Sequence, residues 1–228
     1  VTNILYVGPS WANRSYSTHD ASETDFTSLY RELSLDKFNI VDLSKPGMSN
    51  QYFIDLLSSP NQPHSYKYKY DAIIWVYCEP IIEIKDRQTL LTSENFWQVR
   101  EQTNKNILNQ ISQLGVPVAM IGAHSDIENC NYANLEIVHP SWQKFLAEYA
   151  DVKLDVGWGC EVAHKWLLVD YPKLKPSKNL VNSVSDTWRA WCELDLNGVF
   201  CWCHPNKLGN ELFAREIDSK IQTWIKNV

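Results

Sequence analysis

YDAIIWVYC (Tyr70–Cys78) is apolar or aromatic at every position from Ala72 onward. A strand with one wet face alternates apolar and polar side chains, so a run this uniform fits a central strand covered on both faces, as in a parallel sheet. Three other runs have the same character: NILYVG (Asn3–Gly8) stopped at Gly8-Pro9, FNIVDLS (Phe38–Ser44) stopped at Pro46-Gly47, and VPVAMIGA (Val116–Ala123). Helical patterns fall between and after them. From Thr92 to Leu114, Phe96, Val99, Ile107, Leu108, Ile111 and Leu114 recur at helical spacing, with Ser93 and Glu94 suited to the start and Gly115 to the end. From Asn206 to Ile225, Leu208, Leu212, Phe213, Ile217, Ile221, Trp224 and Ile225 mark one side of a closing helix. Strands alternating with helices predict a three-layer α/β/α sandwich around a mostly parallel sheet.

A chain of 228 residues, 44% of them hydrophobic, can bury one sizeable core, so residues 1–228 are expected to form a single domain. The stretch from about 124 to 197 is less regular and rich in tryptophan, and reads as an elaboration on the sheet. It holds helical candidates at Ser141–Tyr149, Glu161–Val169 and Asn182–Glu193, with the proline- and lysine-rich DYPKLKPSK (Asp170–Lys178) between the last two. A formal charge of −6, a pI near 5.5 and no cluster of lysine or arginine argue against nucleic acid as a partner. No apolar run approaches about 18 residues, the length that suggests a membrane helix. The first residues lack the basic-then-apolar order of a secretory leader, so the expectation is synthesis in the cytoplasm without export or membrane insertion.

Cys78, Cys130, Cys160, Cys192, Cys201 and Cys203 are scattered through a chain too long to need staples, and read as reduced thiols. CWCHP brings Cys201, Cys203 and His204 close in sequence, but no paired CxxC accompanies them and neighbouring strand residues face opposite ways. No metal and no other cofactor is expected. Ten tryptophans and eleven tyrosines suit a core, a sugar-binding groove or a protein interface.

In an open α/β sheet, reactive groups gather in the loops at the carboxyl ends of the strands. Four segments belong there: GPSW (Gly8–Trp11), KPGMSN (Lys45–Asn50), YCEP (Tyr77–Pro80) and, ahead of the closing helix, CWCHPNKLGN (Cys201–Asn210). A serine hydroxyl needs a base to take its proton, and Ser10 with His204 would supply that pair. Read without context, Ser10 is a turn serine, His204 a residue ahead of a helix, and Gly47 a turn glycine.

In order and content these segments resemble the SGNH (GDSL-type) hydrolases, a family of esterases and lipases, over nearly the whole chain. The resemblance implies a flavodoxin-like sheet, Ser10 as nucleophile, the Gly47 N–H in the oxyanion hole, and His204 as general base. His204-Pro205-Asn206 with Gly209 matches the family's last block closely. Three positions depart from it. Pro9 stands for the aspartate of the first block, Glu79 or a neighbour in YCEP falls where the family places an oxyanion-binding asparagine, and Cys201 replaces the acid three residues before the histidine.

Each departure has a physical cost. A neutral cysteine cannot stabilise an imidazolium, and in serine proteases loss of that carboxylate costs roughly 10⁴-fold in turnover. An oxyanion donor is worth about 3 kcal/mol, whereas an ionised Glu79 would offer only acceptors. Asn50 turned inward, or a Glu79 kept protonated by burial, would restore a donor; Asp195 or Glu193 could approach His204 from the preceding loop. HPSW (His139–Trp142) and AHSD (Ala123–Asp126) are weaker catalytic sets, and Glu79 with Glu83 is a weak glycosidase pair.

Two functions fit these residues. One is a serine esterase acting on an acyl ester, for instance an O-acetyl group of a carbohydrate whose ring the aromatic residues would face. The other is a catalytically inactive SGNH-fold module that binds protein partners through an aromatic surface or serves as a structural component of a larger assembly such as a virus particle.

Overall fold

The computed structural model describes residues 2–12, 29–33, 35, 37–59, 70–78, 80–83, 93–123, 127, 131–151, 200–201 and 204–228, with backbone alone at 81, 82, 200, 201 and 204. Five strands form its main sheet: β1 (Asn3–Val7), β2 (Asn39–Asp42), β3 (Ala72–Tyr77), β4 (Val118–Gly122) and β5 (Leu135–His139). They lie in the order β2-β1-β3-β4-β5, and every neighbouring pair is parallel. This is a flavodoxin-like order, whose direction reverses between β1 and β3. The four expected strands are present, each one to three residues shorter at its ends than the apolar run that marks it.

Alternation along the strands builds two cores. Ile4, Tyr6, Ala72, Ile74, Val76, Ala119 and Ile121 face one layer, formed by α1 (Leu29–Glu32), α4 (Trp142–Tyr149) and α5 (Lys207–Asn227). Leu5, Val7, Ile73, Trp75, Tyr77, Val118 and Met120 face the other, formed by α2 (Asn50–Ser58) and α3 (Phe96–Ser112). The protein is therefore a three-layer α/β/α sandwich. Every residue of β3 is buried, as its composition requires.

The helices differ from the sequence pattern at a few points. Ser93 Oγ accepts the Asn95 N–H at 3.1 Å, one turn before α3 begins at Phe96, and Gly115, at φ +71°, lies just beyond its end. Val99 of α3 and Leu208 of α5 lie outside their buried stripes and are exposed. Helix α4 begins where expected, with Ser141 Oγ accepting the Lys144 N–H at 3.1 Å. Together with β5 it makes residues 135–149 a regular part of the sandwich, whereas the helical candidates at 161–169 and 182–193 lie outside the described residues. Among the described residues no helix is long and apolar enough to cross a membrane.

Two glycines mark opposite steric regimes. A Cβ on Gly8, at φ +155°, would lie 2.7 Å from the Cβ atoms of Ala12 and Val76 and 2.9 Å from the Val76 carbonyl oxygen. A Cβ on Gly47, at φ +72°, would meet nothing within 4 Å. Gly8→Ala should therefore cost about 3 kcal/mol or more, since β1 and β3 would have to separate. Gly47→Ala should cost about 1 kcal/mol, for its left-handed backbone alone. Chemical denaturation of both variants checks the contrast, and equal losses would contradict it.

Candidate functional site

The carboxyl ends of β1, β2 and β3 carry three loops that hydrogen bonds draw together. After β1, Ala12 N–H donates to the Pro9 carbonyl at 3.0 Å and closes a turn with Ser10 and Trp11 at its centre. After β2, Met48 N–H donates to the Lys45 carbonyl at 3.3 Å, closing a second turn with Pro46 and Gly47 at its centre. Proline followed by a glycine at positive φ is the chemistry of a type II turn. Lys45 N–H donates to the Gly8 carbonyl at 2.9 Å and joins the two turns. The Gly47 N–H has no partner among the described residues.

The Ser10 turn is also held from its other side. Trp11, 4% exposed, packs edge-on against Trp142 at 5.3 Å, and Trp142 stacks on Phe213 at 4.8 Å and 10°. This aromatic column runs from the Ser10 turn through α4 to α5. Helix α5 begins just after His204-Pro205, the strand β7, which pairs antiparallel with Phe200–Cys201, the strand β6. Two asparagines fasten that entry: Asn206 Oδ1 accepts the Gly209 N–H at 3.0 Å, and Asn210 Nδ2 donates to the Pro205 carbonyl at 3.2 Å. Asn206 and Gly209 could be read as a capped start from sequence; the buried Asn210 lies inside the helical run and gave no such signal.

Asn50 does turn inward, onto the end of β3. Its Nδ2 donates to the Cys78 carbonyl at 2.9 Å, and its Oδ1 accepts the Cys78 N–H at 3.0 Å and the Trp75 Nε1–H at 3.2 Å. One carboxamide thus satisfies both backbone groups of Cys78 as a neighbouring strand would. The residue is 1% exposed, and in this arrangement its amide serves the sheet. Cys78 is buried and in no disulfide.

Glu79 lies outside the described residues, and of His204 and Cys201 the backbone alone is described. Glu83 closes a 3-10 turn, Pro80–Glu83, and reaches the first turn of α2, where Gln51 N–H donates to its Oε1 at 3.2 Å. Burial raises its pKa, Ser49 and the N–H groups of Gln51 and Asn50 pull it down by favouring the charged form, and burial prevails. A carboxylate so engaged is committed to α2. Sequence spacing could not reveal this contact, because Glu83 lies far along the chain from the helix it caps.

No family model matches the sequence, and no curated protein matches it. Among solved structures, the protein YxiM from Bacillus subtilis is similar to this chain with a TM-score of 0.46 at 12% identity, over 98% of this chain and 56% of that one. The chain spans a little over half the length of that structure.

Asn50→Ala removes the Asn50 bonds to the Cys78 N–H, the Cys78 carbonyl and the Trp75 indole N–H in the core, and should cost about 3 kcal/mol in denaturant unfolding. Glu83 generates a second expectation. Because its folded pKa is raised, the folded chain holds the proton more tightly than the unfolded one, and stability falls as the pH climbs from the ordinary glutamate value through the raised one. Glu83→Gln should flatten that decline in melting curves taken from about pH 4 to pH 7. Glu32, raised by burial and by Glu211, contributes with the same sign and remains in the variant.

Proposed function

We propose that the chain is an SGNH-type serine esterase with a reduced catalytic set. The observation that carries this reading is the joining of the Ser10 and Gly47 turns by the Lys45 to Gly8 hydrogen bond at 2.9 Å, beside the point where the strand order reverses. Ligands of open α/β sheets bind in that crevice. In the reaction, the Ser10 hydroxyl attacks an acyl carbon while His204 takes its proton; the N–H groups of Ser10 and Gly47 hold the oxyanion; His204 then protonates the leaving alcohol, and water hydrolyses the acyl-enzyme by the same steps. The substrate is a small acyl ester, with an O-acetylated carbohydrate as the proposed class.

With Cys201 at the acid's position, His204 lacks a carboxylate there, and turnover is slow. The burial of Asn50 and its bonds to Cys78 favour a second reading, an inactive module used for binding or assembly through protein partners, because they remove one replacement for the missing oxyanion donor.

The two readings separate on one series. A fluorophosphonate should label Ser10, and hydrolysis of an activated acetyl ester should disappear in Ser10→Ala and His204→Ala. Cys201→Asp should raise the rate by about tenfold or more, part of the roughly 10⁴-fold that such a carboxylate supplies in serine proteases. Rates should fall below about pH 6, where an imidazole is protonated and cannot accept the serine proton. No labelling of Ser10, together with an inert but folded Cys201→Asp, would establish the inactive module.

A further inference from the structure

From the contacts at the first turn of α2, we infer that Glu83 is a positioning residue for the oxyanion donor, setting through α2 where the Gly47 N–H lies relative to the Ser10 turn. This rests on the reading of Ser10 and Gly47 as an acyl-transfer pair.

The Gln51 N–H donates to Glu83 Oε1 at 3.2 Å, and the neighbouring Ser49 and Asn50 N–H favour the charged form of the same carboxylate. The same three residues are bound elsewhere. Ser49 Oγ accepts the Tyr52 N–H at 3.3 Å and caps α2. The Asn50 side chain is clamped to Cys78, and the Gln51 side-chain amide reaches Asp55 at 2.8 Å and Gln110 of α3 at 3.2 Å. The segment that follows Gly47 is thereby pinned to the end of β3, to α3 and, through Glu83, to the turn after β3.

A carboxylate at a helix N-terminus is favoured by the exposed N–H groups and the helix dipole. Here burial outweighs those bonds, so the ionised group costs the fold stability while it orders this segment. An oxyanion donor acts through its placement in the transition state, and a shift of about 1 Å in such a group costs on the order of a hundredfold. Among the described residues, nothing lies within 4 Å of a Cβ placed on Gly47, and its N–H has no partner.

The test combines kinetics with amide NMR on the whole chain, for the parent, Glu83→Ala and Glu83→Gln. Glu83→Ala should move the Asn50, Gln51 and Gly47 amide resonances and speed their hydrogen exchange. It should also lower kcat on an activated acetyl ester about tenfold, with KM changed less than about twofold, because the lost placement matters in the transition state. Glu83→Gln, which keeps an acceptor of the same shape, should restore most of both. If Glu83→Ala does not fold, Glu83→Gln decides, with a smaller displacement of the same three amides. A Gly47 amide indistinguishable from the parent's in a folded variant overturns the inference, whatever the activity. A displaced Gly47 amide in a parent that hydrolyses nothing sustains the anchoring and defeats the esterase reading instead.

Discussion

A strand buried on both faces cannot simply stop, because its last N–H and C=O need partners where water does not reach. The Asn50 carboxamide lets β3 end at Cys78 by presenting a donor and an acceptor side by side, as another strand would. The rest of the carboxyl edge follows from this. Because Asn50 is the first residue of α2, satisfying β3 fixes the start of that helix, and the start of the helix fixes the turn that holds Gly47. The Lys45 to Gly8 bond carries the placement on to the turn after β1. The carboxyl edge is shaped by the way the sheet disposes of its terminal polar groups.

On the opposite face, dispersion and aromatic contacts perform the matching task. The column Trp11, Trp142 and Phe213 joins three parts of the chain distant in sequence, and each ring is nearly or fully buried. Aromatic pairs contribute about 0.5–1.5 kcal/mol beyond the area they bury, and they also fix mutual orientation. Among the described residues, Trp142 Nε1 is buried without a hydrogen-bond partner, as are both side-chain polar atoms of the neighbouring Gln143. An orphaned buried polar group costs about 1–3 kcal/mol. The first turn of α4 is therefore held by ring packing and the Ser141 cap against an electrostatic cost, much as the Glu83 carboxylate is held against its desolvation.

The sandwich was legible because its central strands are apolar without interruption and its long helices carry clear stripes. β5 escaped notice for the converse reason. Only Leu135 and Val138 of its five residues are buried at the edge of the sheet, and LEIVH (Leu135–His139) with one glutamate in five residues looks like many loops. Helix α2 has only nine residues, too few for its spacing to stand out. At the site, the turn glycines and the Asn206 cap could be read because their roles are local. The engagements of Asn50 with Cys78, Glu83 with α2 and Trp11 with Trp142 depend on long-range closure, and no local pattern encodes them.

The crowding at Gly8 bears on how such a chain changes over evolutionary time. With no room for a single methyl group between Ala12 and Val76, this glycine is demanded by the packing of β1 against β3 whether or not chemistry is performed beside it. Asn206, whose side chain caps α5, likewise serves the fold. Residues of this kind persist through changes of chemistry, because the packing alone requires them. A motif built on them records how a chain folds and gives no testimony about the reaction performed beside it.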